Sequence, residues 1–339
     1  MSILYLTEQG TVLRKKGGRL LITKNDEIIK EISGFKLERV LIFGNIQITA
    51  QAMAFLLDEG IEVSFLSSYG KFRGRLAPVE SKNIFLRIAQ YERYLDEEFC
   101  LEYAKTMVEA KIKNGKKLIQ KYSYNHPTIN FDDILKAMER GLKELSNKTR
   151  VSSVMGIEGE TTAAYFRAFG RMCLGELEFT NRSRRPPKDP INALLSFGYT
   201  LISNELLSIL CAIGFDPYIG FFHGINYGRP SLALDIVEEF RHPVIDHFTL
   251  NLVNHRVLTA SDFECREEEG IYLTDEARKR YFLHYEKMMT NPVEYHSEDK
   301  EIITMPLIAT SYRTLFKTQA HKLMKTVQRK EPYQPFLME

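Results

Sequence analysis

The chain has few of the features that settle a function at first sight. Its four cysteines, Cys100, Cys173, Cys211 and Cys265, are scattered, with no Cys-x-x-Cys pair among them. That scatter argues against a zinc ribbon, an iron–sulfur cluster or a redox pair, and predicts reduced, mostly buried thiols. No apolar run comes near the roughly 20 residues that cross a bilayer. The opening Met-Ser-Ile-Leu-Tyr-Leu has no basic stretch ahead of a hydrophobic one, so no secretory signal is expected and the expected location is the cytoplasm. Internal repeats and low-complexity tracts are missing as well. So is charge of one sign: 46 Lys and Arg against 44 Asp and Glu leave a net charge of +2. A polyanionic partner would have to be met by local patches rather than by the whole surface.

What is present is an ordinary globular balance, 44% hydrophobic and 27% charged residues, over 339 residues. That length exceeds what one core usually organises, so two domains are expected. Residues 1 to about 80 carry short runs of β-branched and aromatic residues at 2–7, 11–14, 19–23, 27–32, 39–43 and 63–66. Gly10, Gly17–Gly18, Asn25–Asp26, Gly34 and Gly44 punctuate them. One helix over 50–58 interrupts the strands, with Thr49 as N-cap and Gly60 closing it. From about residue 84 the period changes. Segments 84–122, 132–146, 160–173, 191–213, 274–289 and 307–328 place apolar residues three and four apart. The pattern predicts an α+β protein: a small N-terminal β-rich domain over 1–80, a linker over 81–90, and a large all-α C-terminal domain over 91–339.

Three segments combine residue types capable of chemistry. In Gly156-Ile157-Glu158-Gly159-Glu160 a carboxylate lies between two glycines, read here as standing just before a helix that starts near 160. The glycines suggest close approach by another group, although acids at a helix start also serve its dipole. Gly220-Phe221-Phe222-His223-Gly224 puts a histidine on a turn backed by apolar residues, a setting shared by many purely structural histidines. In Ser231–Arg241 a helix would bring Asp235 and Glu238 to one face, with Leu232, Ile236 and Phe240 on the buried side. A histidine with two or three carboxylates and no cysteine favours Mn²⁺ or Mg²⁺, without excluding zinc. Such an ion polarises a phosphoryl oxygen and lowers the pKa of a bound water or hydroxyl. Between the first two segments, Arg182, Arg184, Arg185 and Lys188 sit in a proline-stiffened stretch suited to phosphate contact. The lysines at 105, 111, 113, 116, 117 and 121 read mainly as a solvated helix face.

The stretches GIEGETTAAYF at 156–166, RSRRPPKDPINALLSFGYTLI at 182–202 and GFFHGINYGRPSLALDIVEEFR at 220–241 occur in that order. With FGNIQITAQAMAFLLDEGIEVSFLSSYGKFRGRL at 43–76, they resemble the universal CRISPR-associated endonuclease that integrates new spacers during adaptation, over nearly the whole chain. The resemblance implies that Glu158, His223 and Glu238 are the catalytic metal ligands, with Mn²⁺ or Mg²⁺ as cofactor and Asp235 in support. It assigns DNA contact to Arg182, Arg184 and Arg185, and sets Asn192 and Tyr199 on the helix that follows. The implied reaction is transesterification: a DNA 3′-hydroxyl attacks a repeat phosphodiester, with His223 assisting the leaving oxygen. Implied partners are double-stranded and branched DNA, a second copy paired through the β-rich domain, and a small ferredoxin-like protein. Two other readings use the same residues: a stand-alone metal-dependent nuclease of branched DNA, and a non-catalytic DNA-binding scaffold whose acids only cap helices.

Overall fold

The computed structural model describes residues 2–33, 37–78, 81–184, 186–266, 270–293 and 310–338. It separates into two compact units, Met1–Glu80 with Arg278–Phe282, and Ser81–Ala277 with Leu283–Glu339. In the first unit, β1 (Ser2–Leu6), β5 (Leu37–Phe43), β7 (Glu62–Leu66) and β8 (Phe72–Leu76) form one sheet in the order β1-β5-β7-β8. The β1–β5 and β5–β7 pairs are parallel and β7–β8 is antiparallel. A second sheet, in the order β4-β3-β2-β6, contains β2 (Val12–Lys16), β3 (Arg19–Lys24), β4 (Glu27–Ser33) and β6 (Gln47–Ile48). Helix α1 (Ala50–Asp58) starts where expected, with the Thr49 hydroxyl accepting from the Ala52 amide. Leu13, Leu20, Val40, Ile42, Leu56 and Val63 make the core of this unit. The two strands missing from the sequence reading are short or glycine-containing, β6 and β8, and are held by neighbouring strands rather than by their own pattern.

The second unit is mostly helical, with three departures from expectation. Residues 84–122 are two helices, α2 (Ile84–Leu95) and α3 (Glu97–Asn125), broken at Asp96, whose carboxylate caps the Phe99 amide at 3.0 Å. Ile84–Gln90 therefore lie in α2 and are no linker. Helix α4 (Asp132–Leu145) is followed by α5 (Val151–Met172), which begins well before 160 and carries Glu158 in its interior. After α6 (Pro190–Ile213), α7 (Ser231–Phe240) runs through a π-helical turn, Arg241–Asp246, into α8 (His247–Asn254). A hairpin then follows, β9 (Phe263–Arg266) paired antiparallel with β10 (Gly270–Leu273), so this part is not all-α. Helices α9 (Asp275–Thr290) and α10 (Tyr312–Val327) complete the described elements. The α10 expectation from 307 reaches into 307–309, which lie outside the described residues.

Helix α6 is by length and composition apolar enough to cross a membrane, contrary to the run-length expectation, and 72% of its most apolar window is buried inside the protein. Ser196, the triplet Ser203-Asn204-Glu205 and Ser208 break the helix into short apolar runs, while its mean hydropathy stays high. All four cysteines are free, but only Cys211 is buried; Cys265 is exposed. The thiols are thus less buried than expected.

An extended segment at 333–338 is strapped onto these helices by buried polar groups. Glu239 accepts from Gln319 Nε2 at 2.7 Å, from the Phe336 amide at 2.6 Å and from the Tyr333 hydroxyl. Asn114 donates to the Glu239 and Phe336 carbonyls and accepts from the Met338 amide. Burial pushes the Glu239 carboxyl up to about 7, against hydrogen bonds that favour its charged form. Between its ordinary 4.5 and that value the folded protein holds the proton more firmly than the unfolded chain. Its contribution to stability is therefore complete below 4.5 and declines as pH rises through about 7. Glu239→Gln should remove that slope in urea unfolding followed across this range. Glu239→Ala, which strands three donors, should cost about 3 kcal/mol. A slope that survives Glu239→Gln would assign it to another group.

Candidate active site

Glu158 projects from the middle of α5, one turn before Thr162, whose hydroxyl donates to Glu158 Oε1 at 3.0 Å. Helix formation in α7 puts Asp235 and Glu238 on one face as their spacing requires, and both are buried. The two glutamates converge on a residue from a third helix: Lys111 of α3 pairs with Glu158 and sits 2.8 Å from Glu238 Oε2. Arg241, the first residue of the π-helical turn, brings its Nε to 2.9 Å from the same oxygen. Lys111 donates a hydrogen bond to Glu158, whereas the two contacts at Glu238 Oε2 are charge pairs outside hydrogen-bond geometry. Burial would raise the Glu238 carboxyl, but Arg241, then Lys111 and His223, outweigh it and hold the group far below its ordinary value. Burial works against Glu158 too, and Lys111 brings it below its ordinary value despite the neighbouring Glu238 charge.

His223 enters from the loop before α7, and Asp235 sets its position. Asp235 Oδ2 accepts from the Phe221 and Phe222 amides at 2.7 and 3.0 Å; Oδ1 accepts from the His223 amide and lies 2.8 Å from His223 Nδ1. A carboxylate only accepts, so Nδ1 carries the hydrogen and Nε2 is left for other chemistry. The loop can close this tightly because residue 220 is glycine. A Cβ there would lie 2.8 Å from the His223 carbonyl and 2.9 Å from Asp235 Oδ2.

Lys111, Glu158, Thr162, Arg182, Arg184, Tyr199, His223, Glu238, Arg241 and His242 line one cavity of about 100 Å³. The three residues expected to be ligands thus share a cavity. Among the described residues, however, no three His, Cys, Asp or Glu side chains converge closely enough to enclose an ion. The cation between the two glutamates is the Lys111 ammonium. That pair of carboxylates, already gathered around one cation, suits a hard cation with oxygen ligands, so the donor set fits Mn²⁺ or Mg²⁺.

The basic loop divides. Arg182 is drawn into the cavity, bonded to Asn192 Oδ1 at 2.7 Å and Ser196 Oγ at 3.0 Å, with its Nε buried and unpartnered. Arg184 lines the cavity, Lys188 is exposed and does not, and Arg185 lies outside the described residues. Arg182 and Arg241 lie over the Tyr199 ring, 5.5 and 4.7 Å from its centroid. Tyr199 in turn donates to Asp246, which also holds His242 Nδ1 at 2.6 Å. Two expectations fail. A Cβ on Gly156 or Gly159 would meet nothing within 4 Å, so no part of the described chain approaches Glu158 there. Lys111 is buried rather than solvating a helix face. Its signal was available: Lys111 and Asn114 share the apolar phase of α3 with Tyr103, Met107 and Leu118, all buried.

Removing one partner of a buried pair leaves the other charge uncompensated. Lys111→Ala should therefore cost about 3 kcal/mol in urea unfolding near neutral pH. Because Glu158 and Glu238 are held below 4.5, their contribution is present above that pH and fades as pH falls below it. The deficit of Lys111→Ala should shrink in acid. A deficit that stays constant would show that Lys111 does not hold these carboxylates. Gly220→Ala should push Asp235 off the loop amides and lower the melting temperature, an effect that Gly224→Ala, with open space at its Cβ, should not share.

Comparison with known proteins places this geometry. The family described as CRISPR associated protein Cas1 matches residues 4–287. The chain is 32% identical to a CRISPR-associated endonuclease Cas1 of Thermus thermophilus, over 99% of this chain and 97% of that protein. Among solved structures it resembles a casposase bound to an integration product, with a TM-score of 0.85 and 25% identity over 99% of this chain and 93% of the other. A Cas1 protein from Thermotoga maritima matches with a TM-score of 0.80 and 28% identity, each chain covered completely. With two carboxylates, a histidine and a ring of arginines in one cavity, and with these matches running the length of the sequence, the chain belongs to the Cas1 family.

Proposed function

We propose that this chain is a metal-dependent DNA endonuclease and integrase, inserting spacers into a CRISPR array by transferring a DNA 3′-hydroxyl onto a repeat phosphodiester. The observation that carries the reading is the convergence of Glu158 and Glu238 on one buried cation, in a cavity walled by arginines and His223. Glu158, His223 and Glu238 would hold Mn²⁺ or Mg²⁺, which when bound stabilises charge on the non-bridging phosphate oxygens. Arg182 and Arg241, fixed over Tyr199, supply rigid guanidinium groups for a phosphodiester. Arg184 extends that surface at the cavity wall. Asp235 keeps Nδ1 of His223 occupied so that Nε2 faces the reacting groups. Where water takes the place of the 3′-hydroxyl, the same site cuts DNA.

The casposase relative, bound to an integration product, supports strand transfer over simple hydrolysis. For partners, we read the first unit as a pairing surface for a second copy. Its edge strand β4 exposes Ile28 and Ile29, and α2 of the second unit exposes Ile84, Phe85, Ile88, Tyr91 and Leu95. Patches of this kind favour association. The small ferredoxin-like partner follows from the family resemblance.

Labelled spacer-like DNA, a supercoiled plasmid carrying a repeat, and Mn²⁺ or Mg²⁺ provide the test. The wild-type protein, assayed with its partner protein, should transfer label to the plasmid. His223→Ala and Glu238→Ala should lower the rate by at least about a hundredfold, as losses of metal-site groups do. Hydrolysis without transfer under every condition would assign the nuclease reading. Equal activity in all three proteins would show that the metal site is misplaced and favour the scaffold reading.

A further inference from the structure

The loop between His223 and α7 carries an aromatic side chain that packing within the chain does not explain. Tyr227 has a relative exposure of 104%, the highest of the exposed large hydrophobic residues, and Ile225 beside it has 57%. The loop nevertheless has a defined shape. The Arg229 amide donates to the Asn226 carbonyl at 3.0 Å, closing a β-turn with Tyr227 and Gly228 at its corners, and Gly228 takes φ +70°. Below the turn, the Gly224 carbonyl accepts from Arg229 Nη2 at 2.5 Å and from Ser231 Oγ at 3.0 Å. The stem is fixed again at its start by the Asp235 clamp on His223. The result is an apolar tip on a braced loop. A flexible tail would give no such placement, and folding leaves the ring as hydrated as in the unfolded chain, so its apolar face is available to a partner.

We infer that Tyr227 is a base-stacking residue that engages a nucleobase of the DNA beside the reacting phosphodiester, with Ile225 extending the contact. This deepens the proposed function and rests on it. Three observations select a nucleobase. Tyr227 is four residues from His223, so its backbone lies within about 14 Å of that residue, or about four stacked nucleotides. The cavity lined by His223 holds four cationic side chains, Lys111, Arg182, Arg184 and Arg241, against two carboxylates, Glu158 and Glu238, and that positive excess favours a polyanion there. From Gly224 to Pro230 the loop has no carboxylate to repel phosphates. A tyrosine face accepts any base, so the contact grips and positions DNA without reading its sequence. It would hold the strand near the cavity in a partly unstacked form that exposes the phosphodiester.

The test pairs binding with turnover. Branched DNA carrying 2-aminopurine at each position within about four nucleotides of the junction is bound to full-length protein in the inactive His223→Ala background. The His223→Ala protein should change the fluorescence of at least one probe. Adding Tyr227→Ala should abolish that change, and adding Tyr227→Phe should keep it, because stacking needs the ring and not the hydroxyl. With His223 intact, Tyr227→Ala should slow single-turnover strand transfer roughly tenfold, with an unchanged melting temperature. Identical fluorescence with and without Tyr227→Ala would overturn the inference. So would a Tyr227→Ala defect confined to self-association or partner binding. If the probe responds as expected but wild-type protein never transfers a strand, the integrase reading fails while the stacking contact stands.

Discussion

One buried carboxylate, one buried ammonium and a second, partly buried carboxylate set the terms for the helical unit. Glu238 and Lys111 are almost fully buried, and charges so placed are tolerated only when compensated. The compensation comes from three separate helices and the π-helical turn, since Lys111, Glu158, Glu238 and Arg241 each belong to a different element. Holding these ends together requires α3, α5 and α7 to be fixed relative to one another. Much of the surrounding polar structure serves that end. Asn114 and Glu239 lie on α3 and α7 and join both helices to the extended segment at 333–338.

The same constraint bears on the π-helical turn, which starts three residues after Glu238 at the end of α7. Widening the helix there lets Arg241 turn back onto Glu238 while His242 and Asp246 point inward to Tyr199 and Tyr165. A regular helix would carry these side chains onward at a different angle, and such π insertions occur often at functional sites. Tyr199 then has two roles on one ring. Its face carries two guanidinium groups, and its hydroxyl fixes Asp246. The outcome is a cavity whose positive groups are oriented before any phosphate arrives, the condition under which electrostatic stabilisation is most effective.

His223 is built on a different plan. Its loop has little regular structure, yet one buried carboxylate organises it by accepting three backbone amides and the ring nitrogen. Asp235 therefore holds the loop backbone and the histidine ring at once. Any change that moves the loop also moves the histidine. Gly220 is required for the approach, whereas Gly156 and Gly159 beside Glu158 open onto empty space. The glycines of the first motif thus leave the face of α5 uncovered, while the glycine of the third motif lets two chain segments touch.

What the sequence determined by itself was the kind of structure and the kind of chemistry. The change from strand-like to helical period near residue 80, the Thr49 cap, and the order of carboxylate, histidine and carboxylate motifs are local properties, and each is legible because local backbone preference and side-chain spacing fix it. Helix spacing alone joined Asp235 to Glu238. Only the tertiary structure decided which charges meet. Lys111 lies 47 residues from Glu158, and no sequence window shows which two acids a lysine on an apolar phase will bridge. Its place on the apolar phase of α3 was a trace of that role. The split at Asp96 is a local cap on Phe99 and β9–β10 a local hairpin, both written in short-range signals that the helical period obscured, whereas the start of α5 and the π-helical turn lie among partners from other helices. Packing there outweighs propensities worth only fractions of a kcal/mol per residue.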